Sequence, residues 1–403
     1  MKCRSCDAEI VSFFSLGQMP LVNSFLHQEE IAGEEKFDLS VGFCPSCYLA
    51  QLMEEVDPER LFRDYIYFSA TSKFFLNHCQ ENAVSLTEKL KLNSESLVVE
   101  IASNDGSQLQ FFKDLNIPVL GIDPAVNIAE VANQKGIKTL PEFFNYDFAK
   151  KIKTEGKIQA DLIFGANVLA HVPGIIDFAK GVKEILKPNG TAVFEFPYMK
   201  SLLEKKFDTI YHEHVFYYSI LALRNLWQKV GLEVYDVEMT PMQGGSLKIF
   251  IANPGVHEAT DNIKKLVAQE IAEGFDKLET YQKMNENVLT LKKELLALLD
   301  KLKSEGKTIA AYSAPAKGII LLNYFGINDN YLDFIVDKAE VKQGLYTPGT
   351  HMLVYPPEKI YQDKPDYLLI LCWNIASEVI EQLKDYQAAG GKFIVPIPEI
   401  RII

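Results

Sequence analysis

Leu97–Gly106 reads LVVEIASNDG, and this stretch decides the fold. Leu97, Val98 and Val99 make a short apolar, β-branched run, the pattern of a strand buried on both faces. Glu100 ends it. Ile101 to Gly106 form a small polar turn, and Gln108 to Leu115 continue as a helix. Strand, tight turn and helix open a Rossmann-type sheet, whose ligand sits beyond the carboxyl ends of the strands. A second strand, Val119-Leu120-Gly121-Ile122, ends in Asp123, an acid suited to the two hydroxyls of a ribose.

A dinucleotide fingerprint would place glycines in the first turn as G-x-G-x-x-G. Ala102, Asn104 and Gly106 stand there instead. The turn is a poor diphosphate cradle, and Glu100 would repel a diphosphate but attract a cation. Asn tolerates the left-handed backbone such a turn needs. The stretch resembles motif I of the class I S-adenosylmethionine-dependent methyltransferases, although Ala102 and Asn104 depart from that family's usual glycines. The resemblance makes Glu100, Ala102, Asn104, Asp105, Gly106 and Asp123 the cofactor-binding set. Asn167, at the end of a later strand, joins them. An ordinary α/β turn with chance acids is the bland alternative.

The chain has 403 residues, enough for two or three domains, and 48% are hydrophobic, enough for large cores. A net charge of −13 argues against a general nucleic-acid or membrane-surface binder, while leaving room for a local phosphate site. No apolar run reaches the roughly 18 residues of a membrane span, and Met1-Lys2-Cys3-Arg4 leads into no signal-like core. The expectation is a soluble, cytoplasmic protein whose six cysteines are ligands or free thiols.

Four of them form two pairs, Cys3-x-x-Cys6 and Cys44-x-x-Cys47. Two such knuckles complete a closed, tetrahedral four-thiolate zinc site, which is structural; redox chemistry is the competing reading. Residues 7 to 43 exceed the spacer of the commonest zinc ribbons and should carry their own strands or a loop. Cys79 and Cys372 read as buried thiols. Arg63 to Ser72 cluster aromatics beside hydroxyls. They read as a packing junction or as a lid bringing a phenol, Tyr67, to the reaction centre.

The zinc domain and lid thus span 1–72. Residues 73–252 read as a Rossmann-like sheet domain, opened by a helix over 71 to 91. Asp161 to Pro173 is a strand followed by a loop that puts Asn167 and His171 on the ligand side. Pro188-Asn189-Gly190 predicts a turn before a strand over Thr191 to Phe196. Strands near 232–237 and 247–252 complete the sheet. Ile210-Tyr211-His212-Glu213-His214-Val215-Phe216-Tyr217-Tyr218 concentrates polar groups too densely for core filler. A metal pair lacks the H-E-x-x-H spacing; a histidine general base with orienting neighbours fits better. Extended backbone would put Tyr211 and Glu213 on one face and His214 on the other, so a turn is needed to unite them.

Residues 253–305 form a connecting helical region. Ile271, Phe275, Leu278, Met284, Val288, Leu291, Leu295, Leu298 and Leu302 predict one long stripe packed against the sheet domain, with a dimer seam as the lesser reading. Residues 306–403 start a second Rossmann-like unit. Ser313-Ala-Pro-Ala316-Lys317-Gly318 is its first turn, with N–H groups, a helix N-terminus and a cation suited to phosphate. Lys342 and Thr347-Pro348-Gly349 fall near the same mouth.

The whole order of parts resembles the sugar-nucleotide C-methyltransferases of deoxysugar pathways. The likeness spans nearly the entire chain. It rests on the four cysteines, VVEIASNDG, NVLAHVPG, IYHEHVF, the Ala314–Lys317 turn, KQGLYTPGT and FIVPIPEI. It implies an α/β protein with a small N-terminal zinc-binding domain, a central class I methyltransferase domain and a C-terminal Rossmann-like domain. Its cofactors would be S-adenosylmethionine and structural Zn2+. Its substrate would be a nucleotide-linked keto-deoxysugar, usually carrying dTDP, methylated beside its ketone. No nucleic-acid or membrane partner is expected, and the chain would be a monomer or weak homodimer. The family's base matches His214 and its companions match Tyr211 and Glu213. Its tyrosine matches Tyr67 better than Tyr65, and its loop histidine matches His171. His212 stands where the family often has an acid and receives no role. Ser313, Ala316, Lys317 and Lys342 would hold the sugar nucleotide.

The chemistry agrees. A sugar carbon beside a ketone becomes nucleophilic only when a base removes its proton, and the enolate oxygen needs a fixed donor such as Tyr67, His171 or Tyr211. An NAD-dependent oxidoreductase and a catalytically silent sugar-nucleotide binder are the alternatives.

Overall fold

A computed structural model describes residues 1–62, 73–240, 242 and 245–403. Three strands, β1 (Val11–Pro20), β2 (Lys36–Phe43) and β3 (Ala50–Leu52), form an antiparallel sheet near the N-terminus. The long spacer between the cysteine pairs therefore carries both β1 and β2. Each pair sits on a matching knuckle. The Asp7 amide donates to the Cys3 carbonyl and the Tyr48 amide to that of Cys44. Asp7 and Tyr48 both take the left-handed backbone that closes so tight a turn.

The central sheet holds β4 (Val98–Ile101), β5 (Val119–Ile122), β6 (Thr139–Leu140), β7 (Ala160–Ala166) and β8 (Leu186–Pro197). After β9 (Phe216–Tyr217) come β10 (Glu233–Thr240) and β11 (Ser246–Ala252). Its order is β10-β11-β8-β7-β4-β5-β6. All pairings from β8 to β6 are parallel, and β11 runs antiparallel to both neighbours. The order reverses at β4, the topological switch point where such sheets bind ligands. Gly121 is required in β5: a Cβ there would lie 2.5 Å from Ser103 Oγ and 2.6 Å from Thr139 Oγ1.

One expectation for this region is corrected. Pro188-Asn189-Gly190 does not break the chain; it lies inside the continuous β8, where the pairing with β7 shifts register. A residue larger than glycine at 190 would strike the Ala160 carbonyl at 2.8 Å. β9 is not part of the central sheet. It pairs with β3, extending the N-terminal sheet to four strands.

The third sheet comprises β12 (Ile309–Tyr312), β13 (Phe334–Val336), β14 (Val354–Tyr355), β15 (Tyr367–Ile370), β16 (Lys392–Val395) and β17 (Arg401–Ile402). Its order is β14-β13-β12-β15-β16-β17, parallel except for β17.

The connecting region is two helices, Asp261–Glu273 and Leu278–Ser304, divided at Gly274 in the left-handed conformation. Ile271, expected in the stripe, is exposed, and Leu298 is only partly buried while Leu299 takes its place inside. The first helix packs on β10. The second, against expectation, meets the N-terminal sheet instead of the central one: Tyr281 stacks on Phe43 and Asn285 donates to the Phe13 carbonyl. Its Lys292 reaches the Tyr324 carbonyl in the C-terminal unit. A contiguous apolar core runs through all three units.

Candidate active site

A cavity of about 350 Å³ opens at the carboxyl ends of β4, β5 and β7. Glu100, Ala102, Asn104, Asp123 and Asn167 line it, together with Glu142, Phe144, His171 and Asp177. Ala102, Asn104 and Asn167 all have positive φ, so three non-glycine residues supply the bends that glycines usually supply. Asp123 fastens the turn: one carboxylate oxygen accepts the Asn104 amide at 2.8 Å and the other the Ala125 amide at 2.9 Å. Asp105 and Gly106 do not line the cavity. Asp105 turns away to accept from Ser107 and to pair with Lys135 at 2.9 Å, and Gly106 packs against Ile137.

Glu100 decides what the cavity can take. It is 4% exposed, and its Oε2 is buried with no hydrogen-bond partner among the described residues. Burial, with Asp123 and Asp105 nearby, pushes its carboxyl well above the usual range. An anionic diphosphate would worsen this crowding of acids, whereas the ammonium and sulfonium of S-adenosylmethionine would relieve it.

The IYHEHVF segment turns as its chemistry requires. The His214 amide donates to the Tyr211 carbonyl at 2.8 Å. Tyr211 Oη then lies 2.7 Å from His214 Nε2, and His214 Nδ1 lies 2.8 Å from the Thr209 carbonyl. A carbonyl can only accept, so Nδ1 carries the proton and Nε2 holds the lone pair. Burial, then His171 and Lys317, keeps His214 well below its ordinary value and therefore neutral. His171 meets it edge-on, ring centroids 4.8 Å apart, and bridges from the cavity to the base. Glu213 accepts from Asn23 of the N-terminal unit at 2.5 Å. His212 points the opposite way, buried edge-on against Phe37. Tyr67 lies outside the described residues.

In the C-terminal unit the helix Ala316–Phe325 begins at the small-residue turn. Asp337 at the tip of β13 repeats the role of Asp123, accepting Ser313 Oγ at 3.0 Å and the Ala314 amide at 2.6 Å. Lys342 reaches the Ala314 carbonyl, and Lys317 lies over the Trp373 ring, 5.0 Å from its centroid. Lys317 acts electrostatically on both Asp208 and His214, so its charge lies near the base. Thr347-Pro348-Gly349 is used differently from the sequence expectation. It joins the N-terminal unit, where Glu34 accepts the Gly349 amide and meets His351 at 2.9 Å.

At the zinc domain, Cys3 and Cys47 lie 3.5 Å apart, Cys6 and Cys44 3.4 Å, and all four sulfurs fall within 4.8 Å of one another. A tetrahedral zinc with bonds of ~2.3 Å needs sulfur–sulfur edges of roughly 3.8 Å, so the set fits. Sequence reasoning missed Glu142 and Phe144, on the segment after β6, and Asp177, in the first turn of the helix Ile175–Ile185; they reach the cavity only through the tertiary fold. It also missed Asn23 and Asp208, because neither sits in a recognisable motif.

A switch-point cavity under a parallel sheet with a reversed strand, a cation-seeking acid, a neutral buried histidine and a four-thiolate knuckle pair define a zinc-bearing α/β methyltransferase. Family models agree along the chain: a zinc binding domain over residues 3–62, a methyltransferase domain over 75–237 and a C-methyltransferase C-terminal domain over 241–398. The C-methyltransferase NovU of Streptomyces niveus is 35% identical over 409 residues, covering 100% of this chain and 96% of that one. The chain belongs to this family of S-adenosylmethionine-dependent C-methyltransferases. Among solved structures, a methyltransferase from Clostridium acetobutylicum aligns at 10% identity and TM-score 0.37, over 45% of this chain and 92% of its own. One from Anabaena variabilis aligns at 16% and 0.35, over 50% and 100%.

Proposed function

We propose that the protein methylates the carbon beside the ketone of a nucleotide-linked keto-deoxysugar, with dTDP as the expected carrier and His214 as the general base. The observation that carries this is the chain Thr209 carbonyl, His214, Tyr211, held in the neutral form and facing Lys317. Bound S-adenosylmethionine supplies a methyl group on a cationic sulfur. Glu100, Asp123 and Asn167 would hold its amino acid and ribose.

The protein's own residues then do the following. Ser313, Ala316, Lys317 and Lys342 hold the diphosphate, with the backbone N–H groups at the helix start. His214 Nε2 takes the proton from the carbon, the electrons of that C–H bond enter the enolate, and His214 becomes an imidazolium. Tyr211 Oη, released from Nε2, donates to the enolate oxygen, aided by His171 and Tyr67. Glu213 steadies the turn through Asn23. The enolate carbon would accept the methyl group that S-adenosylmethionine supplies, with S-adenosylhomocysteine as the leaving group. Zinc fixes the N-terminal fold and takes no chemical step. Reduced thiolates and a sugar-nucleotide substrate both suit a cytoplasmic enzyme acting as a monomer or weak homodimer.

An oxidoreductase reading is disfavoured by the buried Glu100 carboxyl in the cavity lining, which would repel a dinucleotide's diphosphate. The test is incubation with S-adenosylmethionine and a panel of keto-sugar nucleotides. A mass gain of one methyl that resists hydrolysis supports C-methylation. A hydrolysable methyl would mean O-transfer, and no gain on any keto sugar would end the substrate assignment.

A further inference from the structure

Phe207–Thr209 is a single tight turn between the central and C-terminal units. Each of its residues makes a different contact. Phe207 stacks on Phe325, ring centroids 5.2 Å apart. Asp208 is fully buried, and its Oδ2 accepts the indole N–H of Trp373 at 2.6 Å. Thr209 offers the carbonyl that receives the Nδ1 proton of His214. The turn thus joins the residue that stacks on Lys317 to the residue that fixes the base.

A carboxylate is an expensive way to satisfy one indole, because burial penalises its charge. Burial pushes the Asp208 carboxyl up to about 7, with Lys317 and the Trp373 hydrogen bond pulling the other way. Its Oδ1 is buried with no hydrogen-bond partner among the described residues. Packing alone would be served better by an apolar side chain.

We propose that Asp208 is a positioning residue. By accepting the Trp373 indole it holds the turn where the Thr209 carbonyl keeps the His214 proton on Nδ1 and leaves Nε2 as the base. This rests on the reading of His214 as the base. It extends that reading by making the base competent only when the C-terminal unit is docked. Trp373 carries both the indole that anchors Asp208 and the ring beneath Lys317, so the sugar-nucleotide site and the proton-transfer site share a support.

The test is a double-mutant cycle of Asp208→Ala and Trp373→Phe, with Asp208→Asn as the variant that retains an acceptor oxygen. Two quantities are read. The first is the tautomer of His214 in ligand-free enzyme, from nitrogen-15 signals of labelled histidine assigned by their loss in His214→Asn. The second is kcat and KM on whichever keto-sugar nucleotide shows the methyl mass gain. Each of Asp208→Ala and Trp373→Phe should shift the proton toward Nε2 and lower kcat about tenfold or more, with KM changed less than about threefold. The double variant should be no worse than either single one, as for two residues acting through one bond. Asp208→Asn should stay near wild type.

An unchanged tautomer, losses that multiply, or an Asn variant as damaged as the Ala variant would overturn the proposal. If Asp208→Ala fails to fold, the conservative Trp373→Phe still reports through the tautomer. The base assignment fails separately, if His214→Asn still methylates, and the tautomer measurement on Asp208 survives that outcome.

Discussion

His214 carries the sharpest consequences at the scale of single residues. Buried beside His171 and Lys317, it stays neutral well below its ordinary value near 6.5. A base must be unprotonated, so the acid limb of kcat/KM should fall below pH 6.5, measured as a pH–rate profile of the free enzyme. Stability follows the same sign. The unfolded chain binds this proton near 6.5 and the folded one does not, so stability is lost as pH drops from there through the depressed folded value. His214→Asn should abolish methylation and also the wash-in of solvent deuterium at the acceptor carbon when S-adenosylhomocysteine fills the donor site. The expected loss is roughly a hundredfold or more, with both ligands still bound. Exchange kept while methylation is lost would move the base to Glu213 or Tyr211. The segment was legible as a candidate because two histidines, an acid and three phenols crowd it, and the choice of His214 within it came from the family resemblance. Its tautomer was not legible, since the Thr209 carbonyl reaches Nδ1 only once the 211–214 turn has closed.

Two strand-tip acids govern the elements around the ligands. Asp123 ties the β4 turn to β5, and Asp337 ties the β12 turn to β13, each through a backbone amide and a second donor. Asp123→Ala should weaken S-adenosylmethionine binding by roughly 1–3 kcal/mol, the range for a lost buried hydrogen-bond partner, as measured by calorimetry. Unchanged affinity would place the ribose elsewhere. Lys317→Ala should weaken the sugar nucleotide in the same assay and leave cofactor affinity intact, because the cation stands on the C-terminal unit and does not line the cofactor cavity. Equal losses for both ligands would show that the two sites are not separable. Both acid-tipped strands could be read from period and position. The unbroken β8 could not, because Pro188-Asn189-Gly190 is ordinary turn chemistry that tertiary pairing overrode.

At the scale of the molecule, zinc and catalysis are joined by one strand. β9 follows directly from the base-bearing turn and pairs with β3, five residues beyond Cys47 at its end. Asn225 and Lys229, from the helix after β9, hold the Cys47 and Ser5 carbonyls. Metal analysis should find about one zinc per chain, and its absence would remove the four-thiolate reading. Cys3→Ser should lower folded yield, as expected where metal binding is coupled to folding. Stripping zinc with a chelator should also lower kcat while the central sheet persists by circular dichroism, because the metal supports the sheet on which the base-bearing segment ends. Activity unaffected by zinc loss would uncouple the two units.

The sequence by itself determined the local chemistry: two cysteine knuckles, two strand–turn–helix openings with acids at the second strand tips, and a histidine-rich candidate segment. These depend on residue spacing over a few positions, where backbone geometry leaves few choices. Tertiary structure decided how they meet. It sent β9 into the zinc domain's sheet, split the long helix at Gly274 to cover two different units, and spent Thr347–Gly349 on a joint with Glu34. It also placed the Asp208 carboxyl against the Trp373 indole, and the neutral imidazole of His214 beside that turn. Each of these is a contact between residues far apart in the chain, fixed by burial and by pairing of buried polar groups, which no local pattern encodes.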